Sequence, residues 1–162
     1  MATLPKPGAE VIQAVSSEQV ERARQLFLEY ANSLGFSLDF QGFDDELKNL
    51  PGAYAPPSGR LLLAYHDGRV AGCVALRPLD RQIAEMKRLY VRPDYRGKGV
   101  GRALVDGVIA EARNIGYERM LLDTIESSMT DAIALYRRRG FREIAPYRTN
   151  PIAGALYLEL LL

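Results

Sequence analysis

Three alternating glycines and four cations, three of them around the glycines themselves, crowd one short stretch, Val91-Arg92-Pro93-Asp94-Tyr95-Arg96-Gly97-Lys98-Gly99-Val100-Gly101-Arg102. Glycine lets the main chain take positive φ and come close to a ligand. The residues from Gly101 onward read as a helix, whose first turn offers unpaired N–H donors and the positive end of the helix dipole. Phosphate suits such a helix start. Arg96, Lys98 and Arg102 surround the same turn, so a pyrophosphate would be both hydrogen-bonded and charge-compensated there. A tight turn with solvated basic side chains would explain one glycine, but three of them between a strand and a helix favour an anion site. Two other phosphate loops fit poorly. A P-loop requires Ser or Thr after its Gly-Lys pair, and here Gly97-Lys98 is followed by Gly99; a dinucleotide fingerprint requires its third glycine where Arg102 stands, although Asp123 lies at a tempting distance downstream.

Other reactive groups are sparse. Cys73 is the only cysteine and His66 the only histidine. An internal disulfide and a Cys/His zinc cluster are therefore both excluded, and no metal is expected. Cys73 follows Gly72 in the middle of an apolar run and reads as a small buried residue; His66 precedes a turn and has no triad-like partners. Lys and Arg total 21 against 20 Asp and Glu, a net charge of +1 that gives no global field for nucleic acid or an anionic membrane. Neither is expected as a partner, and any anion site must be local. With 162 residues, 48% of them hydrophobic, the chain is long enough for one core and too short for two ordinary domains. Residues 1–162 are read as a single domain with residues 1–9 as a flexible tail. Met1 to Glu10 holds two prolines and no apolar run, and no stretch approaches the ~20 apolar residues of a membrane span. A cytoplasmic protein is the expectation.

The elements that must position the glycine turn follow from periodicity. Val11, Ile12 and Val15 suggest a short strand ending at Ser16. Ser16 with Gln19 makes a capping box for a helix carrying Val20, Ala23, Phe27, Ala31 and Leu34, and Gly35 stops it. Asp44 to Leu50 suggests a second short helix, and Pro51 to Gly59 a loop. Arg60 to His66 and Arg69 to Arg77 flank Asp67-Gly68, a strong hairpin signal. Ile83 to Val91 reads as a strand, Gly101 to Ile115 as a helix, Tyr117 to Thr124 as a strand and Thr130 to Arg139 as a helix ending at Gly140. Phe141 to Ile144 and Leu156 to Leu161 close the chain as strands. Early hairpins and a late strand-helix-strand unit imply a mixed, mostly antiparallel sheet with helices on both faces, an α/β (α+β) fold. Because the last strand is apolar, it is either central or an edge covered by a second subunit, which leaves a homodimer open.

The turn resembles the pyrophosphate loop of the GNAT superfamily of acetyltransferases, which reads Arg or Gln, two residues, Gly, one residue, Gly or Ala; Arg96, Gly99 and Gly101 match it. The resemblance extends upstream over Glu85-Met86-Lys87-Arg88-Leu89-Tyr90-Val91-Arg92-Pro93 and downstream over Ala132-Ile133-Ala134-Leu135-Tyr136-Arg137-Arg138-Arg139-Gly140-Phe141, about residues 60 to 144 in all. It implies acetyl-CoA as donor and a sheet splayed between the strand ending at Val91 and the strand Tyr117 to Thr124, with pantetheine in the gap. Backbone groups along Leu89, Tyr90 and Val91 would hold the pantetheine, and Arg96, Gly97, Lys98, Gly99, Val100, Gly101 and Arg102 the pyrophosphate. Met129 is a departure: many members carry Asn there, seven positions before the tyrosine, where it bonds the cofactor.

Acetyl transfer needs a neutral amine, and one with a Lys-like pKa near ~10.4 is almost wholly protonated at neutral pH. The resemblance puts Glu85 where histone-acetyltransferase members keep a glutamate base, a role that requires burial to raise its pKa. An ordinary strand carboxylate paired with Lys87 or Arg88 is the alternative. The resemblance likewise puts Tyr136 beside the sulfur, as the acid that protonates a thiolate with pKa near ~8.5; the alternative is a core aromatic. The implied reaction is direct transfer to a small-molecule or peptide amine in a ternary complex. For the acceptor, the sequence offers only polar residues in variable segments: Tyr147, Arg148 and Asn150, with Tyr30, Tyr54 and Arg77. Arg148 suits a carboxylate-bearing acceptor, although a solvated arginine is the commoner case. A non-catalytic acyl-CoA sensor is the rival from another class, and a nucleotide-dependent oxidoreductase a weaker one.

Overall fold

A computed structural model describes residues 8–126 and 130–162. The tail expected over residues 1–9 falls almost wholly outside these, as does Met129.

The described residues form one seven-stranded sheet, in the order β1-β2-β3-β4-β5-β7-β6. Its strands are β1 (Ala9–Gln13), β2 (Arg60–His66), β3 (Arg69–Pro78), β4 (Ile83–Val91), β5 (Arg119–Ile125), β6 (Arg142–Glu143) and β7 (Ala155–Leu161). Every neighbouring pair is antiparallel except β4 and β5. That parallel pair needs a crossover, supplied by helix α3 (Val100–Ile115). The β2–β3 hairpin turns at Asp67 and Gly68, both at positive φ (52° and 77°), as a two-residue primed turn requires. The last strand lies between β5 and β6, so its apolar character reflects burial: Leu158 and Leu160 are in the core.

Helices cover both faces. α1 (Ser17–Ser33) starts at the capping box, in which Ser16 Oγ accepts from the Gln19 N–H at 3.1 Å while Gln19 Oε1 accepts from the Ser16 N–H at 3.1 Å. With α2 (Phe43–Lys48) it packs Leu26, Phe27 and Phe43 against Leu61, Leu63, Cys73 and Ala75. On the other face α3 packs Leu104, Val105 and Val108 against Leu62, Val74, Leu76 and Met120, joined there by Tyr136 of α4 (Thr130–Arg138). Strands buried on both faces read as unbroken apolar runs. Burial of each such large side chain stabilises the fold by roughly 1.5–3 kcal/mol.

Several boundaries differ from the sequence reading, β1 most, since it ends at Gln13 and not at Ser16, which caps α1; two others differ because helix exits consume the residues in question. Tyr117 N–H bonds back to Ala112 O at 3.1 Å behind Gly116 (φ 107°), so β5 begins later, at Arg119. Phe141 N–H bonds to Tyr136 O at 3.1 Å, which shortens β6 to two residues.

Candidate active site

The parallel pairing of β4 with β5 runs only from Ile83 to Glu85. The cause of the divergence lies on the other side of β4. Cys73 and Ala75 of β3 are two residues apart, but their partners Tyr90 and Lys87 are three apart, so β4 carries an extra residue, a bulge, at Arg88. Arg88 sits at φ 62°, which costs a non-glycine residue about 1–3 kcal/mol. Its surroundings hold it there. The guanidinium makes a bidentate pair with Glu46 (2.8 and 3.0 Å), donates to Gln41 Oε1 at 2.7 Å and stacks over Phe43 at 5.0 Å; the Cys73 thiol donates to the Arg88 carbonyl at 3.3 Å. Burial pushes that thiol far above its ordinary pKa, consistent with an inert packing role.

Past the bulge the strands enclose a cleft of about 700 Å³. At one end lies the glycine turn. Gly97 and Gly99 take φ of 76° and 82°, and Gly99 leads directly into α3, so the first N–H groups of that helix point at the same opening. A Cβ at either glycine would meet no protein atom within 4 Å; the glycines are required by backbone conformation and leave the space clear for a ligand. Arg96 and Arg102 line this end, and Arg96 Nε donates to Val91 O at 3.2 Å. Leu89, Tyr90, Val91, Val100 and Gly101 line the groove beyond. The Tyr90 ring packs edge-on against Tyr30, which lines the same cleft. Lys98 is absent from the lining, its ammonium lying 5.8 Å from the Tyr95 ring. A pyrophosphate fits this cradle: backbone donors, two positive-φ glycines and two arginines face one opening.

Tyr136 stands at the middle of the cleft, 4% exposed and packed on Phe141. Burial drives its phenol pKa well above 10, so the hydroxyl keeps its proton across the neutral range.

The far end is charged and is built from separate segments. Glu85 is 0% exposed. Its Oε1 accepts from Arg77 Nε at 2.9 Å and lies 3.9 Å from Lys87 Nζ. Its Oε2 accepts from Tyr147 Oη at 2.6 Å and from the Arg148 guanidinium. The expected upward shift is therefore overturned: burial raises the pKa, but Lys87, the Tyr147 hydroxyl, Arg148 and Arg77 together outweigh it and hold the carboxyl below its usual range. Glu85 is a well-paired anion that ties the β6–β7 loop to the sheet. The same loop is fixed by Asn150, which donates to Asp123 Oδ2 at 3.1 Å, and by Tyr157, whose hydroxyl donates to Arg148 O at 2.9 Å.

Lys87, Arg88, Gln41, Asp123 and Tyr30 line this end of the cleft. The structure places Tyr30 in the cleft lining; Arg77, Tyr147 and Arg148 are outside that lining and bonded to Glu85, and Asn150 is outside it and bonded to the lining Asp123. It moves Tyr54 away from it: that ring is buried on Phe27, with its hydroxyl donating to Glu46 at 2.9 Å. Lys87 and Asp123 entered the sequence reading only as a partner for Glu85 and as a distant match to a dinucleotide fingerprint, and Gln41 and Glu46 escaped it. For the first two a signal existed, since charged residues on strands otherwise buried on both faces must be paired or line a cavity. A second depression, of about 820 Å³, lies over Arg22, Arg69 and Arg92 on the other side of Tyr95; it contains neither the glycine turn nor Tyr136.

A bulged strand splayed from its parallel neighbour, with a phosphate cradle at a helix start beside the gap, defines a nucleotide-tailed acyl-donor site. The comparisons give that class its family. Residues 20–141 match the acetyltransferase (GNAT) family. The chain is 40% identical over 158 residues to an uncharacterized N-acetyltransferase of Schizosaccharomyces pombe, covering 96% of each chain. Among solved structures it resembles an acetyltransferase from Streptococcus agalactiae (TM-score 0.76, 23% identity, 96% of this chain and 99% of that one) and a GNAT family acetyltransferase from Elizabethkingia anophelis with acetyl-CoA bound (TM-score 0.69, 23% identity, 97% and 100%). The chain belongs to the GNAT acetyltransferase family and is an acyltransferase.

Proposed function

We propose that the protein transfers the acetyl group of acetyl-CoA to a primary amine of a small molecule or peptide, by direct attack in a ternary complex. The observation that carries this reading is the continuity of one cleft: it runs from a phosphate cradle at the start of α3, past a buried protonated tyrosine, to a charged end open to an acceptor. Acetyl-CoA supplies the activated thioester. The backbone of residues 97–102, with Arg96 and Arg102, holds its pyrophosphate, and the β4 backbone beyond the bulge lies along its pantetheine arm. As the amine nitrogen bonds to the acetyl carbon, the carbon–sulfur bond breaks and the sulfur takes the electron pair. Tyr136 donates its proton to that sulfur and recovers one from solvent, while the amine loses its own proton to water in the open end of the cleft. Glu85, ionised and fully engaged, is a poor proton acceptor. We assign it a positioning role, holding Tyr147 and Arg148 against the acceptor.

Release of CoA thiol against a panel of amines tests the reaction, with calorimetric binding of acetyl-CoA measured in parallel. Turnover with an amine is expected. Binding without turnover across the panel would mark a sensor, and absence of binding would overturn the site itself. Tyr136→Phe is expected to lower kcat by about 100-fold, the low end of what a positioned acid contributes, while acetyl-CoA affinity stays within a few-fold; unchanged kcat removes Tyr136 from the chemistry. For Glu85→Gln the expected loss falls mainly on the acceptor KM. A fall confined to kcat, with an altered pH–rate profile, would restore Glu85 as the base.

A further inference from the structure

We infer that the acceptor carries a carboxylate close to its reacting amine, the carboxylate being received by Lys87 on the β4 side of the cleft and the amine facing Asp123 on the β5 side. This rests on the transfer reaction proposed above and specifies its substrate class.

The placement follows from strand alternation. Ala84 and Met86 of β4, and Met120 and Leu122 of β5, pack in the α3 core, which leaves Glu85, Lys87 and Asp123 on the opposite face of the sheet. There the charges do not balance locally. Arg88 is matched by Glu46, but Arg77, Lys87 and Arg148 share the single carboxylate of Glu85. Of the three, Lys87 lines the cleft while its side chain is only 6% exposed. Among the described residues its one hydrogen-bond acceptor is the neutral amide oxygen of Gln41, at 3.1 Å, an oxygen that Arg88 also uses, and its ion-pair partner Glu85, shared with Arg77 and Arg148, is 3.9 Å away. A buried ammonium facing a cavity without its own counter-ion is costly, and a ligand carboxylate would supply the missing charge. Burial, followed by repulsion from Arg88, lowers the Lys87 pKa to about 8, the response expected of a cation short of an anion. Across the gap Asp123 presents the opposite sign, tied to the loop through Asn150. The other cleft-lining charges outside the glycine turn, Asp131 and Arg138, are of opposite sign and both lie on α4. A cleft cationic on one wall and anionic on the other is complementary to a dipolar amino acid, whose amine arrives as ammonium beside its carboxylate.

The test compares free amino acids with their carboxamides as acceptors, following CoA-thiol release. The carboxamide amine is the less basic of each pair, so intrinsic reactivity works against the expected result. For at least one amino acid we expect kcat/KM about 10- to 100-fold above that of its carboxamide, as loss of a charge-assisted hydrogen bond implies. In Lys87→Met this ratio falls toward one; acetyl-CoA affinity, read by calorimetry, reports whether the variant is folded. Carboxamides turned over as well as the free acids would overturn the inference and leave the transferase reading intact. No turnover with any amine would overturn both.

Discussion

The two ends of the cleft are built from different materials. At the donor end the binding groups are mostly backbone: two positive-φ glycines and the start of α3, all within residues 96–102. At the acceptor end they are side chains drawn from Gln41, β3, β4, β5 and the loop before β7, held by ion pairs to the buried Glu85 and by hydrogen bonds to Gln41 and Asp123. A backbone cradle suits a ligand common to a whole family, because nearly any side chain leaves the main chain in place. An end made of side chains can change its acceptor by a few substitutions, at the cost of a network whose members depend on one another.

That interdependence gives the largest effect expected. Glu85→Gln removes the anion shared by Arg77, Lys87 and Arg148 and leaves the buried Lys87 and the partly buried arginines uncompensated, a loss of about 3 kcal/mol of folding stability. Chemical denaturation of the two proteins measures it. The pH dependence should follow. A carboxyl whose folded pKa is lowered from 4.5 stabilises the fold fully above that value and loses the contribution as pH falls through the lower folded pKa. Wild type should therefore lose more stability than Glu85→Gln in the range below about pH 4.5. Equal acid sensitivity would mean that the cluster is not the network described.

At the donor end the effect is on binding and not on stability. Gly99→Val forces a β-branched residue to φ 82° and puts its side chain into the opening proposed for the phosphates. Acetyl-CoA affinity should drop by about 100-fold or more, whereas melting of the ligand-free protein shifts little more than the strain of one residue requires. If Gly99→Val binds acetyl-CoA normally, the cradle is elsewhere and the contrast between the two ends fails.

The same contrast decides what could be read before the structure. The donor end was legible because its parts are consecutive: glycine spacing, the flanking cations and the strand–helix junction all fall in one segment, and Gly97, Gly99 and the α3 start stand as expected. The mixed sheet was equally legible from Asp67-Gly68, the capping box at Ser16 and the apolar runs of β2 and β3. The bulge was not. It needs Arg88 at positive φ, and what makes this tolerable is Glu46 and Gln41, more than forty residues away in sequence. Nor was the ionisation of Glu85 legible. Burial alone raises a carboxyl pKa, and the direction reverses because Lys87, the Tyr147 hydroxyl, Arg148 and Arg77 together outweigh it, two of them folding back from a loop about sixty residues downstream.

Lys87 gives the smallest and most diagnostic effect. Its folded pKa of about 8 lies below the ordinary 10.5, so between these values the unfolded chain binds the extra proton and stability rises with pH. Tyrosines with raised folded pKa values, Tyr136 and Tyr147 among them, act oppositely only as pH passes 10, where their unfolded forms begin to ionise. The clean window is thus pH 8 to 10. Wild type should gain stability across it relative to Lys87→Met. Saturating a carboxylate acceptor should abolish the gain, because a bound anion returns the ammonium toward its ordinary pKa, while the matching carboxamide should leave it in place. A flat wild-type profile over this window would show that Lys87 already has a sufficient counter-ion within the chain, and the acceptor end would then lack the charge surplus that distinguishes it from the donor end.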